Sequence, residues 1–394
     1  MQDSIKKITK EDCFGCRSCE QTCPKQCISM LPDKEGFLYP FVNDDMCINC
    51  GLCLSHCPVG KEINTTDNPI ALGLRLKDDL KLKESTSGGV FAGLADYVIG
   101  NGGIVFGCAF DEKLQARHVK AETIDELKPI KGSKYVTSNT LDTYQKVADI
   151  LKKSPDKQIL YTGTPCQISG LNSYLGIIPN NLITADIICH GVPSQKLFDK
   201  YIEWLSLKTN GEIIYYGFRD KDVSQWTCAG KTKTKTKTKV INGSIDPYYS
   251  SFMRGETYRH CCYKCEFAST NKRPSDITMG DFWGIESVHP KFYSSKGVSC
   301  CLLNTEKGKN IFDKIQTHYE RIETTVINIS KGNCNLLHPT KKPPIRSTIY
   351  DGIDDWPINK FISKLYAPPH KRFIRYVISH IPESVKIFIK QNVR

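Results

Sequence analysis

The chain has 394 residues, enough for two or three domains with substantial cores. Residues 1–10 are polar and charged, so we expect no apolar leader, and no apolar run approaches the roughly 20 residues of a membrane span. The net charge of +12 is uneven, since residues 1–66 carry seven Lys or Arg against nine Asp or Glu and the remainder carries 47 against 33. Such a basic body attracts anionic cofactors, acidic redox partners or anionic lipid. No recognition motif for nucleic acid accompanies the charge, and we predict no nucleic-acid partner.

Two cysteine runs of identical spacing begin the chain. Each reads Cys-x2-Cys-x2-Cys-x3-Cys-Pro, which is the spacing of bacterial ferredoxins with two 4Fe–4S clusters. In that pattern the fourth cysteine of each run binds the other cluster. We therefore predict a domain of residues 1–64 with two ligand sets: Cys13, Cys16, Cys19 and Cys57 for one cluster, and Cys47, Cys50, Cys53 and Cys23 for the second.

Disulfides and zinc are the alternatives for these cysteines. Zinc sites take four ligands, usually in pairs, rather than two such runs of four. Nineteen cysteines in a large chain without an expected leader favour reduced thiols and metal ligation, so we expect a reducing cytoplasm.

A polar, turn-prone segment, Asn64–Pro69, predicts a linker, after which the pattern becomes mixed helix and strand. Ser85-Thr86-Ser87 precedes a predicted helix over Gly88–Ile99, and Gly103–Phe110 predicts a buried strand. Further on, the apolar pattern predicts a second set of elements, in chain order: a strand over Gln158–Thr162, a helix over Gln167–Leu175, a strand over Leu182–Ile188, and a helix capped by Ser194 that runs to about Leu207.

The last four elements bring two isolated cysteines to one edge of the predicted sheet. A right-handed strand–helix–strand crossover makes the two strands parallel, so both carboxyl ends lie at the same edge. Cys166 follows the first strand and Cys189 ends the second, and ligands bind at that edge in open α/β sheets. Cys166 also precedes a helix, whose N-terminal dipole favours a thiolate.

A Cys-x2-Cys pair, Cys262 and Cys265, would complete four ligands for a third cluster with Cys166 and Cys189. Cys261 remains open as the ligand in place of Cys262, and Cys166 and Cys189 remain open as buried core thiols. The remaining cysteines have no such spacing and are predicted core or surface thiols: Cys27, Cys108, Cys228, Cys300, Cys301 and Cys334.

Two basic segments have no place in this scheme. Lys231–Lys239 alternates Lys and Thr, which predicts a solvated hairpin edge protected by Lys or, alternatively, a docking site for an acidic partner. The region 354–394 is basic, with Phe373, Ile374, Val377, Ile378 and Ile381 at helical spacing. Such a helix could lie on an anionic membrane surface, pack on a partner, or dock on its own domain.

Five short motifs between residues 87 and 284 occur in one order. They are Ser87-Gly88-Gly89, Lys131-Gly132-Ser133-Lys134-Tyr135, Gly163-Thr164-Pro165-Cys166-Gln167, Cys189-His190-Gly191-Val192-Pro193 and Thr278-Met279-Gly280-Asp281-Phe282-Trp283-Gly284. Together with the two cysteine runs, this set resembles the coenzyme F420 hydrogenase/dehydrogenase beta-subunit family over about residues 10–305.

The resemblance implies a fold and a cofactor set. The fold is α+β or mixed α/β, with the two-cluster ferredoxin-like domain followed by a larger, mixed-sheet, flavin-binding domain whose two family regions are 70–150 and 151–345. The cofactors are two 4Fe–4S clusters, a third 4Fe–4S cluster and FAD. The implied cofactor-binding residues are Ser87, Gly88, Gly89, Lys131, Ser133, Lys134, Tyr135, Gly163, Thr164 and Gln167.

The resemblance also implies an activity. The chain would be an iron–sulfur flavoprotein oxidoreductase that exchanges electrons with a redox partner protein and with a small organic two-electron substrate, F420 or another. His190 and Asp281 are candidates for a general acid, although a turn-forming Asp beside core aromatics is an equal alternative for Asp281. The alternative function is a non-catalytic electron-transfer subunit of a larger dehydrogenase or hydrogenase complex.

Overall fold

The protein is described here from a computed structural model, which describes residues 4–63, 68–381 and 383–392. Within those residues thirteen strands form, numbered in chain order: β1 (Ile28–Pro32), β2 (Leu38–Val42), β3 (Ile70–Leu76), β4 (Ile104–Phe110), β5 (Ala116–Ala121), β6 (Ile159–Gly163), β7 (Leu182–Ile187), β8 (Tyr215–Gly217), β9 (Ala229–Lys233), β10 (Thr238–Asn242), β11 (Ile277–Asp281), β12 (Ser299–Leu303) and β13 (Tyr319–Glu323). Residues 64–67 of the predicted linker lie outside the described residues.

The same described residues form sixteen α-helices: α1 (Ser18–Gln21), α2 (Leu52–Ser55), α3 (Asp79–Glu84), α4 (Val90–Gly100), α5 (Ile124–Leu127), α6 (Thr143–Lys153), α7 (Pro165–Leu175), α8 (Gln195–Thr209), α9 (Lys221–Ser224), α10 (Pro247–Met253), α11 (Ile285–Val288), α12 (Glu306–Ile315), α13 (Val326–Ser330), α14 (Ile358–Ser363), α15 (Pro369–His380) and α16 (Glu383–Asn392). Among the described segments, no helix is both long and apolar enough to cross a membrane.

The N-terminal unit consists of the two cysteine runs around a small antiparallel β1–β2 pair. Each run contains a one-turn helix, α1 or α2, at its third cysteine, and a 3-10 helix at Ile5–Lys7 precedes the first run. The apolar side chains of Ile5, Ile28, Met30 and Val42 pack between the cysteines and form the core of this unit. The thiols are therefore held by a core too small to be stable without help.

The body is built on an eight-stranded mixed sheet with the order β13-β3-β12-β11-β7-β6-β4-β5. Strands β4, β6, β7 and β11 are parallel neighbours, and the remaining pairings are antiparallel. This sheet confirms the predicted mixed α/β fold. The six helices and strands predicted between Gly88 and Leu207 are present, with ends shifted by at most about two residues. Strands β6 and β7 are parallel, as predicted.

Helices cover both faces of this sheet. On β6, Leu160 faces a core that α4 and α12 complete, whereas Ile159 and Tyr161 face a second core beneath α6 and α7. Successive side chains of a strand point to opposite faces, so a strand covered on both sides is apolar throughout. The burial of β6 explains why its sequence shows no alternation.

A smaller sheet, β10-β9-β8, packs with α8, α10 and α14 around a third, aromatic-rich core. The Lys–Thr segment 231–239 belongs to this sheet as a hairpin, because the Thr234 hydroxyl accepts the N–H groups of Thr236 and Lys237 and turns the chain. The edge-hairpin interpretation is thus confirmed, since β10 is the edge strand. Thr232 is buried and donates to the Tyr215 carbonyl. Four of the lysines, Lys233, Lys235, Lys237 and Lys239, are exposed, and Lys231 pairs with Asp220.

Candidate functional site

The cysteines of the N-terminal unit line two separate pockets. Cys13, Cys16 and Cys19 of the first run share one pocket with Cys57 of the second. Cys47, Cys50 and Cys53 share the other pocket with Cys23. This grouping is the one that the spacing predicts, with the fourth cysteine of each run exchanged.

The local backbone explains how three cysteines face one pocket. Arg17 (φ 67°) and Gly51 (φ 76°) adopt left-handed conformations immediately before α1 and α2. The chain then turns into one helical turn that carries the third cysteine of each run, Cys19 or Cys53. A left-handed conformation is uncommon for a residue other than glycine. The Arg17 side chain donates hydrogen bonds to Glu20 and Asn139 in this conformation.

The chemistry of these thiols fits iron–sulfur clusters. Burial, together with repulsion from Cys13 and Cys53, raises the pKa of Cys57 to about 11. Burial also raises the pKa of Cys19, with added repulsion from Cys16, Cys13 and Cys57. Closely grouped, buried thiolates need a cationic group between them, which iron supplies. In the described part of the chain, no three His, Cys, Asp or Glu side chains are arranged for a single metal ion.

Cys27 is a fifth thiol beside the second pocket. Its Sγ lies 3.4 Å from Cys23 Sγ, and its side chain is buried in the pocket wall. The lack of cluster spacing predicted that Cys27 is a core or surface thiol, and its buried position agrees with a core thiol. Its separation of four residues from Cys23 was the one signal for this proximity.

The four body cysteines come from three different elements. Cys166 lies in the first turn of α7, after β6, and Cys189 follows β7, so the parallel strands bring both to the carboxyl edge of the sheet. Cys262 belongs to a 3-10 helix at His260–Lys264, and Cys265 follows it. Burial raises the pKa of Cys189, and repulsion from Cys262, Cys166 and Cys265 raises it further.

The two adjacent thiols Cys261 and Cys262 face different neighbours. Cys262 acts electrostatically on all three other body thiols, Cys166, Cys189 and Cys265. Cys261 acts on Tyr39 and Arg259, beside the N-terminal unit, and of the body thiols it interacts with Cys262 and Cys166. This arrangement favours Cys262 as the fourth member of the body set, and the ligand assignment stays a prediction.

The other body cysteines stand apart from this group. Cys300 and Cys301 are buried in strand β12, Cys334 is exposed, and Cys108 and Cys228 are half-buried. Their positions agree with core or surface thiols.

The N-terminal unit and the body meet between Cys16 and α7. A Cβ atom on Gly170 of α7 would lie 3.0 Å from Cys16 Sγ, so only glycine allows this close approach. The Thr140 hydroxyl donates to the Cys16 carbonyl, and the Phe14 and Phe267 rings meet edge to face at 5.3 Å. The first pocket and the body thiols are thus neighbours.

Arg259 fixes the same junction from the other side. Its guanidinium is fully buried and donates to the Cys13 carbonyl (2.7 Å) and to the Leu38 carbonyl (2.9 Å). It also lies over the Tyr39 ring, 4.1 Å from its centroid. A permanent positive charge therefore lies between the two thiol groups, which stabilises added negative charge there. Its sequence signal was only its place beside Cys262.

The Ser87-Gly88-Gly89 motif lies at the same sheet edge, just before α4. A Cβ on Gly88 would come within 2.1 Å of the Leu74 carbonyl oxygen, so this glycine serves a close approach to β3. Gly89 has a φ of 87° and immediately precedes α4. The Ser87 carbonyl oxygen accepts a hydrogen bond from the Lys221 ammonium. The Ser87 hydroxyl donates a hydrogen bond to the Val298 carbonyl.

The Lys131–Tyr135 motif follows α5. The Lys134 ammonium donates to the carbonyls of Pro129, Ile130 and Lys131, so its donors serve the loop itself. Tyr135 is held in the aromatic core, stacked on Phe252 at 4.6 Å. Lys131 pairs with Glu84, and Gly132 (φ 90°) beside Ser133 forms an open turn with nothing within 4 Å of its Cβ direction.

Gly163, Thr164 and Gln167 form the start of α7. The Thr164 and Gln167 side chains make a capping box, and the Gln167 amide donates to Ser138 Oγ (3.0 Å). Gly163 is adjacent to the Gln167 side chain and to His118. These contacts give the motif a structural role that orients Cys166, whose Sγ lies 3.2 Å from Thr164 Oγ1.

Asp281 ends β11 at this edge and binds two side chains that sequence analysis missed. Its carboxylate accepts the Trp226 indole N–H at 2.6 Å and the Arg219 guanidinium at 2.5 Å. Burial lowers the pKa of His190, and the nearby Asp281 carboxylate opposes that shift. His190 and Asp281 are thus brought together, and a neutral His190 suits proton acceptance better than proton donation at neutral pH.

One buried donor in this region lacks a partner. The Arg219 Nη2 atom makes no hydrogen bond with any described residue, although Nη1 is bonded to Asp281. The guanidinium packs over the Trp283 ring, 5.2 Å from its centroid, and an acceptor atom of a ligand would satisfy the remaining donor. Lys221, whose pKa burial lowers to about 8, adds a second cation beside Ser87. Neither Arg219 nor Lys221 belongs to a motif that the sequence singled out.

Two family models match the chain. Residues 156–328 match the C terminus of the coenzyme F420 hydrogenase/dehydrogenase beta subunit, and residues 12–61 match a 4Fe–4S dicluster domain. The predicted family resemblance and the ferredoxin-type iron–sulfur domain are thereby confirmed.

Three curated relatives match short stretches of the chain, of 44 to 51 residues. An uncharacterized ferredoxin of Methanocaldococcus jannaschii is 42% identical over 50 residues, covering 12% of this chain and 27% of the relative. The ferredoxin-type protein NapF of Haemophilus influenzae is 41% identical over 44 residues (11% and 25%), and a second M. jannaschii ferredoxin is 33% identical over 51 residues (13% and 65%). The chain thus spans less than two thirds of the length of these relatives.

One chain in a solved structure of the F420-reducing NiFe hydrogenase complex from Methanosarcina barkeri is similar to this protein. The superposition covers 77% of this chain and 91% of that chain, with a TM-score of 0.46 and 15% sequence identity.

Proposed function

We propose that this chain is an iron–sulfur flavoprotein oxidoreductase, a proposal supported by the match of residues 12–61 to a 4Fe–4S dicluster domain and of residues 156–328 to the C terminus of the coenzyme F420 hydrogenase/dehydrogenase beta subunit. Its substrate would be an organic two-electron carrier, F420 or a related molecule. When bound, the clusters supply one-electron transfer, and FAD supplies the exchange between single electrons and electron pairs. The residues of this chain hold, orient and charge-balance these groups.

The observation that carries the proposal is the close approach of Cys16 to α7. Cys16 belongs to the first pocket, and its pKa is raised by burial and then by the charges of Cys57, Cys13 and Cys166. Cys166 is the first of the four body thiols. In the N-terminal unit, Cys53 of the second pocket acts on Cys19 and Cys57 of the first. Three thiol sets therefore follow one another: the second pocket with Cys50, the first pocket with Cys16, and the body set with Cys166. A continuous row of this kind serves electron transfer, whereas isolated structural sites need no such order.

The row ends at the carboxyl edge of the sheet, where open α/β sheets bind ligands. Ser87, Lys221 and Arg219 supply backbone and cationic groups there, and the orphaned Arg219 Nη2 supports an anionic or carbonyl-bearing ligand. We propose that Lys221 and Arg219 contact the anionic parts of the flavin. His190, neutral and buried beside Asp281, would accept a proton when the substrate is oxidised.

The opposite end of the row faces solvent. Cys50 is exposed, and the apolar side chains of Met46, Ile48 and Leu52 around it are exposed as well. Contiguous exposed apolar side chains mark interaction sites. We propose that a redox partner protein docks here, on the second cluster. This exposed end also favours the alternative function, an electron-transfer subunit of a larger complex.

An anaerobic turnover assay tests the proposed function. The reconstituted full chain receives electrons from reduced ferredoxin, and the absorbance of added F420 reports the acceptor. We expect turnover in the native chain and in Cys334→Ser, which changes an exposed thiol, and none in Cys166→Ser. A chain that binds flavin, accepts electrons and reduces no tested acceptor would instead be the electron-transfer subunit.

A further inference from the structure

Helix α15 is amphipathic, but it turns its polar face to the body and its apolar face to solvent. The side chains that contact the body are polar: Asn242 donates to Ser379 Oγ (3.1 Å), and Arg372 lies over the Tyr366 ring at 4.8 Å. Arg375 lies near Arg254 and Glu256. These three residues follow at helical spacing, so they form one face of the helix.

The opposite face is apolar and turned to solvent. Phe373 is 68% exposed, Ile374 54%, Ile378 49% and Val377 46%. A surface helix normally buries its apolar stripe, so this arrangement leaves the hydrophobic free energy of four large side chains unrealised. A patch of this kind, rimmed by charge, indicates a surface that another body covers.

The charge around the patch identifies what covers it. Between Trp356 and Pro382 the chain carries five Lys or Arg and no Asp or Glu, and of these Arg372 and Arg375 lie on the body-contacting face. Beside α15 lies an open groove of about 630 Å3, which is lined by Lys208, Lys239 and Arg372, by one carboxylate, Asp246, and by apolar side chains that include Phe373. Basic groups above an apolar stripe match anionic headgroups above acyl chains.

We propose that α15 is a peripheral membrane anchor that lies in the plane of an anionic lipid surface, with Phe373, Ile374, Val377 and Ile378 in the acyl boundary. Its 12 residues span about 18 Å, less than the roughly 30 Å hydrocarbon core, so the helix lies on the bilayer. A second copy is the less favourable occupant, because two α15 faces would bring Lys371 and its neighbouring cations against one another. This anchor goes beyond the proposed electron transfer and does not depend on it.

Vesicle flotation of the reconstituted full chain tests the anchor. We expect binding to vesicles of phosphatidylcholine mixed with phosphatidylglycerol, and weak binding to phosphatidylcholine alone. Raising the salt to about 0.5 M should weaken the binding, since screening then acts within a few ångströms. Lys371→Glu should lower the partition coefficient about tenfold, because it reverses a charge at the surface.

The apolar face is tested by the double variant Phe373→Ser/Ile374→Ser, for which we expect at least about a tenfold loss of partition. Ile177→Ser/Ile327→Ser is the matched control, since these side chains are 86% and 70% exposed on other parts of the surface. The control should bind as the native chain does. Cluster absorbance and circular dichroism of every variant establish that it is folded.

Three outcomes would overturn the anchor. One is the absence of binding to anionic vesicles by the folded native chain. Another is equal binding by the Phe373→Ser/Ile374→Ser variant and its control. The third is a dimer in sedimentation that this variant dissociates, without vesicle binding, because α15 would then be the interface between two copies.

Discussion

At the scale of single residues, the pair Cys261 and Cys262 shows how adjacent thiols acquire different roles. The 3-10 helix at His260–Lys264 turns Cys262 toward Cys166, Cys189 and Cys265, and it turns Cys261 toward Tyr39 and the N-terminal unit. The sequence left the choice between them open, because one residue of register separates them. The direction of each side chain depends on the backbone of this short helix.

We predict that Cys262→Ser loses about four iron atoms per chain, since one ligand of the body set is removed. Cys261→Ser should retain them, because its thiol lies outside that set. Iron and sulfide analysis of both anaerobically reconstituted variants measures the difference. Equal iron loss in the two variants, or loss in Cys261→Ser alone, would contradict the assignment.

His118 ties the start of α7 to its sheet. Its Nε2 atom donates to the Thr162 carbonyl (3.0 Å), and its Nδ1 atom lies 3.0 Å from Ser138 Oγ, which also accepts the Gln167 amide. Burial lowers the pKa of His118 from 6.5 to about 4. The unfolded chain therefore binds one more proton than the folded chain between these two values.

This shift predicts a pH dependence of stability. The contribution of neutral His118 is fully present above about pH 6.5 and is lost as the pH falls from there toward about 4. Between pH 7 and pH 5.5 the free energy of unfolding should fall by about 1 kcal/mol through this residue. Urea unfolding of the native chain and of His118→Gln measures it: the variant should lack that increment, and the same fall in both would remove His118 as its source.

At the scale of elements, α7 determines how closely the N-terminal unit approaches the body. Gly170 faces Cys16, and a Cβ there would lie 2.8 Å from Cys16 Cβ and 2.9 Å from the Tyr144 hydroxyl oxygen. Both neighbours are buried and held by other contacts, so neither can retreat easily. Glycine in a helix interior costs about 1 kcal/mol relative to alanine, and the close approach explains its presence.

Gly170→Ala should therefore destabilise the chain by roughly 1–3 kcal/mol through overpacking, against its better helix propensity. Gly100→Ala is the matched control, because this glycine ends α4 with nothing within 4 Å of its Cβ direction. Thermal unfolding and the rate of iron loss compare the two variants. A Gly170→Ala chain as stable as the control would contradict the close approach of α7 to Cys16.

The elements also show what the sequence could specify. The β6–α7–β7–α8 stretch was predictable because its strands are continuous apolar runs and Ser194 caps α8, where it accepts the Leu197 N–H. The Lys–Thr segment shows the limit. Its alternation marked strand residues, whereas the turn at Thr234 depends on one hydroxyl that accepts two N–H groups.

For the whole molecule, local spacing predicted the cysteine groups, and long-range geometry supplied the rest. Cys13 to Cys57 follow a dense motif, so the two sets could be assigned from sequence. The Asp281 contacts with Arg219 and Trp226 span 62 and 55 residues and belong to no motif. Arg259 likewise reaches Cys13 across 246 residues. Such contacts follow from the packing of the two units and leave no local pattern.

The central claim is a row of three thiol sets that ends at a flavin site, and the content of the purified chain tests it most directly. Iron, acid-labile sulfide and flavin are measured per chain after anaerobic reconstitution. We predict about twelve iron atoms, about twelve sulfides and about one FAD, from three four-iron clusters and one flavin site. About eight iron atoms without flavin would contradict the account, because only the two clusters of the N-terminal unit would then remain.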